Sequence, residues 1–557
     1  MKKYYILAGL VSTMLLTACS NEDDGTKGKE ETNIGFSIEE MPYNSDVEIT
    51  RAGASNLISK DTVSINNDIE AEVRIERDPI EKKAAITRAN PLSNDTYTIY
   101  ATQGGSRVNN STMKGTVTGG TTFTPVSGST GKIKLPAGNY TFVCGNSSMT
   151  DNGTSLSTDY ANVENSRIGI TSATIGTSRY HVAFQMKHTN ARLRLKMVSY
   201  MPISGITATL TSISNQPKEN TYTADGSSYT TTTSQALSNS YTFANNTTAA
   251  TDHSYTSLTD YQYFMAGTNG AQLKVTFNSG SMYIKPLAGS SYTLDKLGTM
   301  AANGSYTVSI RLLYKTKYLF QDGTVDTYFN RGTRTPIGVV VKDNDGTPGS
   351  GIAMAMNVVD LINRNNPQFS VYNEYPAPLL ENTERNATTY PESLGINDME
   401  GYRWTYSPSP NGDIKANDAN RYSAYYAAAH YTPNITVTGL NVGKWYLPAL
   451  GEWWLALNGT LKLHPGFGYV GPSSPAAHTK EELQRAQAIF FQTGNEGIDL
   501  PQHWMWLWSS TQFNAIDNQP AGNYYYYCGF IGLYDSWSMR HHNRESHTMN
   551  VIPFVHF

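Results

Sequence analysis

The chain has 557 residues, 42 basic against 46 acidic side chains for a formal net charge of −4, and three cysteines. A near-neutral balance with no basic stripe argues against nucleic acid as a partner, and so few cysteines argue against a disulfide scaffold. The length allows three or four domains, each able to bury its own core.

The start, MKKYYILAGLVSTMLLTACSNEDD, places two lysines before an apolar run from Tyr5 to Leu16 and then Leu16-Thr17-Ala18-Cys19. The run is too short for a permanent membrane span and reads as a signal peptide over residues 1–19. Its end resembles the lipobox of bacterial lipoproteins, which implies acylation of Cys19 and attachment of the precursor to the outer membrane. The acidic cluster Glu22-Asp23-Asp24 resembles the surface-export signals of lipoproteins from Gram-negative gut and oral anaerobes, so outward display is expected. Residues 20–88 read as a tether and propeptide-like segment. It contains two strand-like pieces, NIGFSI and IEAEVRIE, and the tetrapeptide ITRA at Ile49–Ala52 and again at Ile86–Ala89.

From about Ala89 to Tyr314 the chain alternates apolar and polar residues in short runs such as TYTIYA, GKIKLPAGNYTFVCG, YHVAFQMKHTNARLRLKM and GSYTVSIRLLY. Bounded by Gly, Asn and Pro, these predict half-buried antiparallel strands in sandwiches, with a junction near Asn190 and no helix of any length. Beyond Tyr314 lie all eight tryptophans and eight of the eleven histidines. Gly351 to Asn363 is apolar over a helical length. ALGEWWLALNG predicts a helix with Leu450, Trp453, Trp454 and Leu457 on one face and Gly459 at its C-terminal cap, and Thr479 to Glu482 is a capping box that starts another helix ending before Gly494. The region is expected to be α+β.

Two resemblances rest on particular residues. Phe184-Gln185-Met186-Lys187-His188 followed by Ala191-Arg192-Leu193, the KLPAGNYTF segment at Lys134 to Phe142, and TRA followed by an extended segment such as TYTIYA resemble the fimbrillin-type pilins over residues 33–315. That resemblance implies two tandem transthyretin-like β-sandwiches, residues 33–190 and 191–315. It also implies that an arginine-specific protease removes an N-terminal segment containing a strand of the first sandwich, and that a strand from another fimbrial subunit fills the gap. Arg88 is the expected cut, because TYTIYA begins soon after it; Arg51 is the alternative and would separate the two strand-like pieces. Arg74 and Arg77 lie inside the second piece and are expected to be protected.

Over residues 316–557, PIGVVV, KWYLPALGEWW, LWSSTQF and the terminal NVIPFVHF resemble extracellular bacterial domains of C-type-lectin-like or formylglycine-generating-enzyme-like fold. Such folds host both binding modules and enzymes. The enzymes of that group depend on a cysteine pair, and this region holds only Cys528. Gln519-Pro520-Ala521 lacks a third calcium ligand, Asp343 to Gly346 reads as a turn, and His541, His542 and His547 lack metal-site spacing. No metal, cofactor or catalytic constellation is expected. Trp445, Trp453, Trp454 and Trp508 read as core. The candidate ligand-binding residues are Tyr525 and Tyr527, on one face if the stretch is a strand, and Trp537, Arg540, His541, His542 and Arg544 on a loop from Asp535 to His547.

The expectation is a mainly β surface protein with an α+β C-terminal domain, acting as a fimbrial tip adhesin that binds glycan or a surface protein. Its partners are other fimbrial subunits through a donated strand. The tip position is inferred from NVIPFVHF, which reads as a strand of the C-terminal domain rather than a free donor. The alternative is a non-polymerising surface lipoprotein that binds glycan.

Overall fold

The computed structural model describes residues 31–45, 56–80, 94–118, 122–129, 131–177, 179–359, 383–384, 396–409, 412–463, 466–467, 478–497, 505–514, 526–533, 537–543 and 549–557. The molecule is mainly β and rich in sandwiches. Seven strands position the site: β1 (Thr32–Glu40), β2 (Leu57–Ser64), β3 (Ile69–Arg77), β4 (Ile133–Leu135), β5 (Tyr180–His188), β6 (Asn190–Ser199) and β7 (Ser305–Tyr314).

The first sheet system runs Thr122–Pro125, Met113–Thr118, Asp95–Gln103, Gly138–Asn146, Arg167–Ile175, β5, β1, β4. Arg167–Ile175 and β5 pair only at Arg167↔His188 and Ile168↔Lys187, so the sheet folds over and its halves face each other across a core. That core gathers the inward residues of both halves, among them Phe36, Ile99, Phe142, Val182 and Phe184. Cys144 is a free thiol buried among them, and burial pushes its pKa up, so it stays protonated.

The chain crosses to the next sheet at Thr189, between β5 and β6. In the second sandwich a sheet ordered Tyr255–Leu258, β6, β7, β3, β2 faces a sheet ordered Ser238–Thr242, Thr207–Ser212, Leu273–Ser279, Ser291–Thr293. A further sheet joins the two regions, because Leu156–Asp159 pairs with Gln216–Tyr222. The two strand-like pieces of the N-terminal segment therefore part company. The first, β1, enters the first sandwich; the second, β3, lies inside the second sandwich between β7 and β2, rather than beside the first piece.

The C-terminal region holds a six-stranded sheet, ordered Val325–Thr327, Lys317–Phe320, Pro336–Lys342, Ile352–Ala355, Phe554–His556, Trp445–Tyr446, and a second sheet built on Met505–Asn514, Tyr526–Leu533 and Trp537–Asn543. The helix expected from Gly351 is instead the strand Ile352–Ala355, paired on one side with Pro336–Lys342 and on the other with Phe554–His556. A strand covered on both faces is as continuously apolar as a buried helix, and Ile352, Ala353, Met354 and Ala355 are all buried. The expected helix at Leu450 forms as Leu450–Trp454, but it continues as a π-helix through Leu455–Thr460, so Gly459 lies within it and not at a cap. The capping box is present: Glu482 N donates to Thr479 Oγ1 at 3.2 Å and Thr479 N to Glu482 Oε2 at 2.9 Å, and the helix Lys480–Phe491 stops before Gly494. Trp445, Trp453 and Trp508 are buried and Trp454 is half-buried, as expected of core residues.

Candidate strand-acceptor site

TNIGFSIEE alternates, and β1 turns Ile34, Phe36 and Ile38 into the core. It runs parallel to β5, from Ile34↔Tyr180 to Glu40↔Met186, and antiparallel to β4 at Thr32↔Leu135, Asn33↔Lys134 and Ile34↔Ile133. Phe36 stacks on Phe184 with ring centroids 5.9 Å apart and meets Phe142 of the opposite layer edge-on at 6.0 Å. Burial of each of the three apolar side chains is worth roughly 1.5–3 kcal/mol. None of this is covalent, and the chain beyond β1 runs on to β2, in the other sandwich.

Between β1 and that departure the segment Pro42 to Ser45 is fastened where the two sandwiches meet. The Tyr43 ring stacks on His188 at 3.8 Å with the Arg192 guanidinium over its other side at 4.1 Å, and its hydroxyl donates to Asn190 Oδ1 at 2.7 Å. Asn44 has φ of 60°, in the left-handed region where Asn is tolerated. Its Nδ2 donates to Asp78 O at 2.8 Å and Ser305 O at 3.2 Å, and its Oδ1 accepts from Ser305 N at 3.1 Å. Asn303 closes the other side: Asn44 N donates to its carbonyl at 2.8 Å, and its Nδ2 donates to Ser45 Oγ at 3.0 Å. Burial and the nearby Arg167 and Arg192 charges bring the His188 pKa down to about 3, so its ring is neutral, while burial raises the Tyr43 hydroxyl well above its ordinary range.

The hairpin β2–β3 behaves differently. Ile69, Ala71, Val73 and Ile75 line the second core, and the opposite face of β3 is covered as well at Glu70 and Glu72, leaving Glu72 only 2% exposed, while Arg74 beyond them is exposed. Its carboxylate meets Arg331 at 2.7 Å and Arg311 of β7 at 3.4 Å. Burial alone would push the Glu72 carboxyl up, but hydrogen bonding and charge from Arg331, with help from Arg311, hold it below its ordinary value. Arg311 donates onward to Gln492 O at 2.9 Å, and the Gln492 side chain brackets the backbone of Tyr314 at 2.9 and 3.0 Å. One hydrophobic cluster runs from Ile69 of β3 through β7 to Phe490 and Phe557. The second sandwich and the C-terminal region thus share a core, and β3 is part of the seam.

Cys19, Arg51 and Arg88 lie outside the described residues, Arg51 in the stretch between Ser45 and Asn56 and Arg88 between Ile80 and Asn94. Arg74 and Arg77 lie in β3. Tyr525 and Arg544 also lie outside the described residues. Tyr527 is in the strand Tyr526–Leu533, opposite Asn543. The expected loop at Asp535 is corrected over much of its length: Trp537–Asn543 is a strand, with Trp537 opposite Leu533, Arg540 opposite Phe530, His541 opposite Gly529 and His542 opposite Cys528. Its composition, with a tryptophan and two histidines, satisfies strand alternation as well as it suggests a loop. Asp343 to Gly346 is a turn that uses its own side chains: Asp343 pairs with Lys317 at 2.8 Å, and Gly346 N donates to Asn344 Oδ1 at 2.7 Å.

The residues of this candidate site that the sequence alone does not single out for it are Tyr43, Asn44, Asn190, Asn303 and Glu72. The only signal for any of them was the FQMKH…ARL motif, whose His188 and Arg192 form the walls around Tyr43.

No family model and no curated protein matches the chain. Among solved structures it is similar to a candidate cell adhesion protein from Bacteroides uniformis, with 16% identity over 40% of this chain and 91% of that one and a TM-score of 0.28. It is also similar to a fimbrial protein from Bacteroides ovatus, with 11% identity over 95% of this chain and 100% of that one and a TM-score of 0.25. The fimbrial anchor protein Mfa2 from Porphyromonas gingivalis is similar at 12% identity over 44% of this chain and 78% of that one, with a TM-score of 0.20. Likeness at these scores says nothing about what this chain does.

Proposed function

We propose that the protein is a cell-surface fimbrial subunit that accepts a strand from another subunit in place of β1. One observation carries the reading: β1 is held in the first sandwich by hydrogen bonds and packing alone, and its covalent continuation belongs to the second sandwich. A single break between Ser45 and Asn56 turns β1 from part of the fold into a bound peptide that a competing strand can displace, with main-chain bonds giving affinity and the pockets of Ile34, Phe36 and Ile38 giving register. Arg51 lies in that interval. Processing at Arg88 would also release β3, stripping Arg311 and Arg331 of their carboxylate and opening the shared core. Arg51, not Arg88, is therefore the proposed cut.

The strand Phe554–His556 is bonded on both sides, by Ile352–Ala355 and Trp445–Tyr446, and is not available to donate. This supports an acceptor role at a fibre tip, with the lectin-like C-terminal region as the adhesive part. Its ligand is a glycan or a surface protein, and its role is binding rather than catalysis. The lipid on Cys19 would hold the precursor at the outer membrane until processing.

The strand-acceptor role is tested by cutting the full chain within residues 46–55 and adding a peptide copying residues 32–45. The cut protein exchanges its resident segment for the labelled peptide while the intact precursor does not. A cut protein that never takes up the peptide overturns the reading and favours the non-polymerising lipoprotein. The adhesive role is tested on a glycan array with the whole protein, since the C-terminal region shares its core with the second sandwich.

A further inference from the structure

The Tyr43–Asn44 contacts go beyond what strand addition requires. An added strand needs a groove and alternate pockets, and β1 has both by Ile38. The polar contacts of Tyr43 and Asn44 begin after that point, outside the ladder. They reach across to the second sandwich, to Asp78, Asn303 and Ser305, all of which remain after a cut between Ser45 and Asn56. Loss of residues 32–45 would leave His188 and Arg192 facing each other across an empty slot and Asn190 Oδ1 without its donor. It would also remove the bonds that Asn44 gives the carbonyls of Asp78, Asn303 and Ser305, of which the Ser305 carbonyl keeps the bond from Asp78 N at 2.8 Å. A flat slot between a neutral imidazole and a guanidinium, with an amide oxygen at its end, suits a phenol ring. Next to it, two carbonyl acceptors and one N–H donor suit a primary carboxamide on a residue with positive φ, a combination that Asn alone among the twenty satisfies comfortably.

We infer that this junction is a second recognition site, a socket that reads a tyrosine-like aromatic followed by asparagine just past the C-terminal end of the incoming strand. The inference rests on the strand-acceptor reading above and adds to it the chemistry of the partner. The strand that fills the groove enters parallel to β5, carries apolar residues at alternate positions matching Ile34, Phe36 and Ile38, and presents the aromatic–carboxamide pair at the positions of Tyr43 and Asn44. Groove alone gives β-strand affinity. Groove plus socket selects among subunits and fixes the two sandwiches relative to each other, because the pair touches both.

The test uses the full chain cut within residues 46–55, with the resident segment as the competitor that each added peptide must displace. Binding of fluorescent peptides copying residues 32–45 is then measured with the native sequence and with Tyr43→Ala, Tyr43→Phe, Asn44→Ala, Asn44→Gly and Phe36→Ser changes. The expected losses are about tenfold or more for Tyr43→Ala and Asn44→Ala, smaller for Tyr43→Phe and Asn44→Gly, and complete for Phe36→Ser. All changes lie in the peptide, so the protein's own folding is constant. If the Tyr43 and Asn44 peptides bind as the native one does while Phe36→Ser fails, the socket is overturned and strand acceptance stands. If the native peptide itself does not bind, both fall together.

Discussion

The strands β1 and β3 come from the same N-terminal segment, alternate in the same way, and each pairs with a strand more than 100 residues later in the chain. They differ in the covering of their outer faces and in the course of the chain beyond them. The face of β1 opposite the core is open at its two ends, with Asn33 and Glu39 exposed and Ser37 buried between them, and the chain after it leaves for another sandwich. β3 is covered on its core face and, at Glu70 and Glu72, on the other, is bonded by strands on both sides, and is tied through Glu72 to Arg311 and Arg331. Two strands of similar sequence character are therefore assigned opposite fates in the proposed function: β1 is the one to be exchanged, and β3 the one to be kept.

The largest expected effect comes from moving the cut. A break within residues 46–55 leaves the second sandwich and C-terminal region resistant to proteolysis after β1 is displaced. Removing residues 1–88 instead takes Ile69, Val73 and Ile75 from the core, roughly 1.5–3 kcal/mol each, a loss comparable with the whole stability of a domain. Limited proteolysis of that truncated chain should show the second sandwich and C-terminal region degrading together, since they share a core. Next in size is Glu72→Ala, expected to cost about 2–3 kcal/mol in chemical denaturation, since it leaves two arginines at a seam without their carboxylate. A double-mutant cycle with Arg331→Ala should return most of that energy as coupling.

Smaller effects test the β1 side. Asn44→Ala should destabilise the uncut precursor by about 1–2 kcal/mol through lost hydrogen bonds and the strain of a positive φ, and Asn44→Gly by less, because glycine keeps the backbone comfortable. The last test of this side is a pH effect. The folded His188 has its pKa depressed to about 3 from an ordinary 6.5. As pH falls below 6.5 the unfolded chain therefore takes up a proton that the folded one refuses, and stability drops until about pH 3. His188→Phe, which keeps a ring between Tyr43 and its surroundings, should flatten that part of the melting temperature profile.

How much of this was legible in the sequence depends on how local each feature is. The alternation of NIGFSI and IEAEVRIE announced two strands, and Thr479 to Glu482 announced a helix start, because those patterns reside in neighbouring residues. The destination of β3 was not legible, since its partner β7 lies more than 200 residues on and nothing in the alternation names a sheet. Alternation also marks Glu70 and Glu72 as outward and hence exposed; they are outward but buried, because the C-terminal region covers that face. Tyr43 and Asn44 sit in a stretch with no periodicity, and their roles depend on Asn190, Asn303 and Ser305. The strand at Ile352 reads as a helix because a strand buried on both faces carries no period of its own.

The most direct measurement is the N-terminal sequence of the protein as displayed on the cell surface. Separate fates for β1 and β3 predict a new terminus at Ala52, immediately after Arg51, with β2 and β3 retained. A terminus at Ala89 after Arg88, or an intact chain beginning at an acylated Cys19, would contradict it.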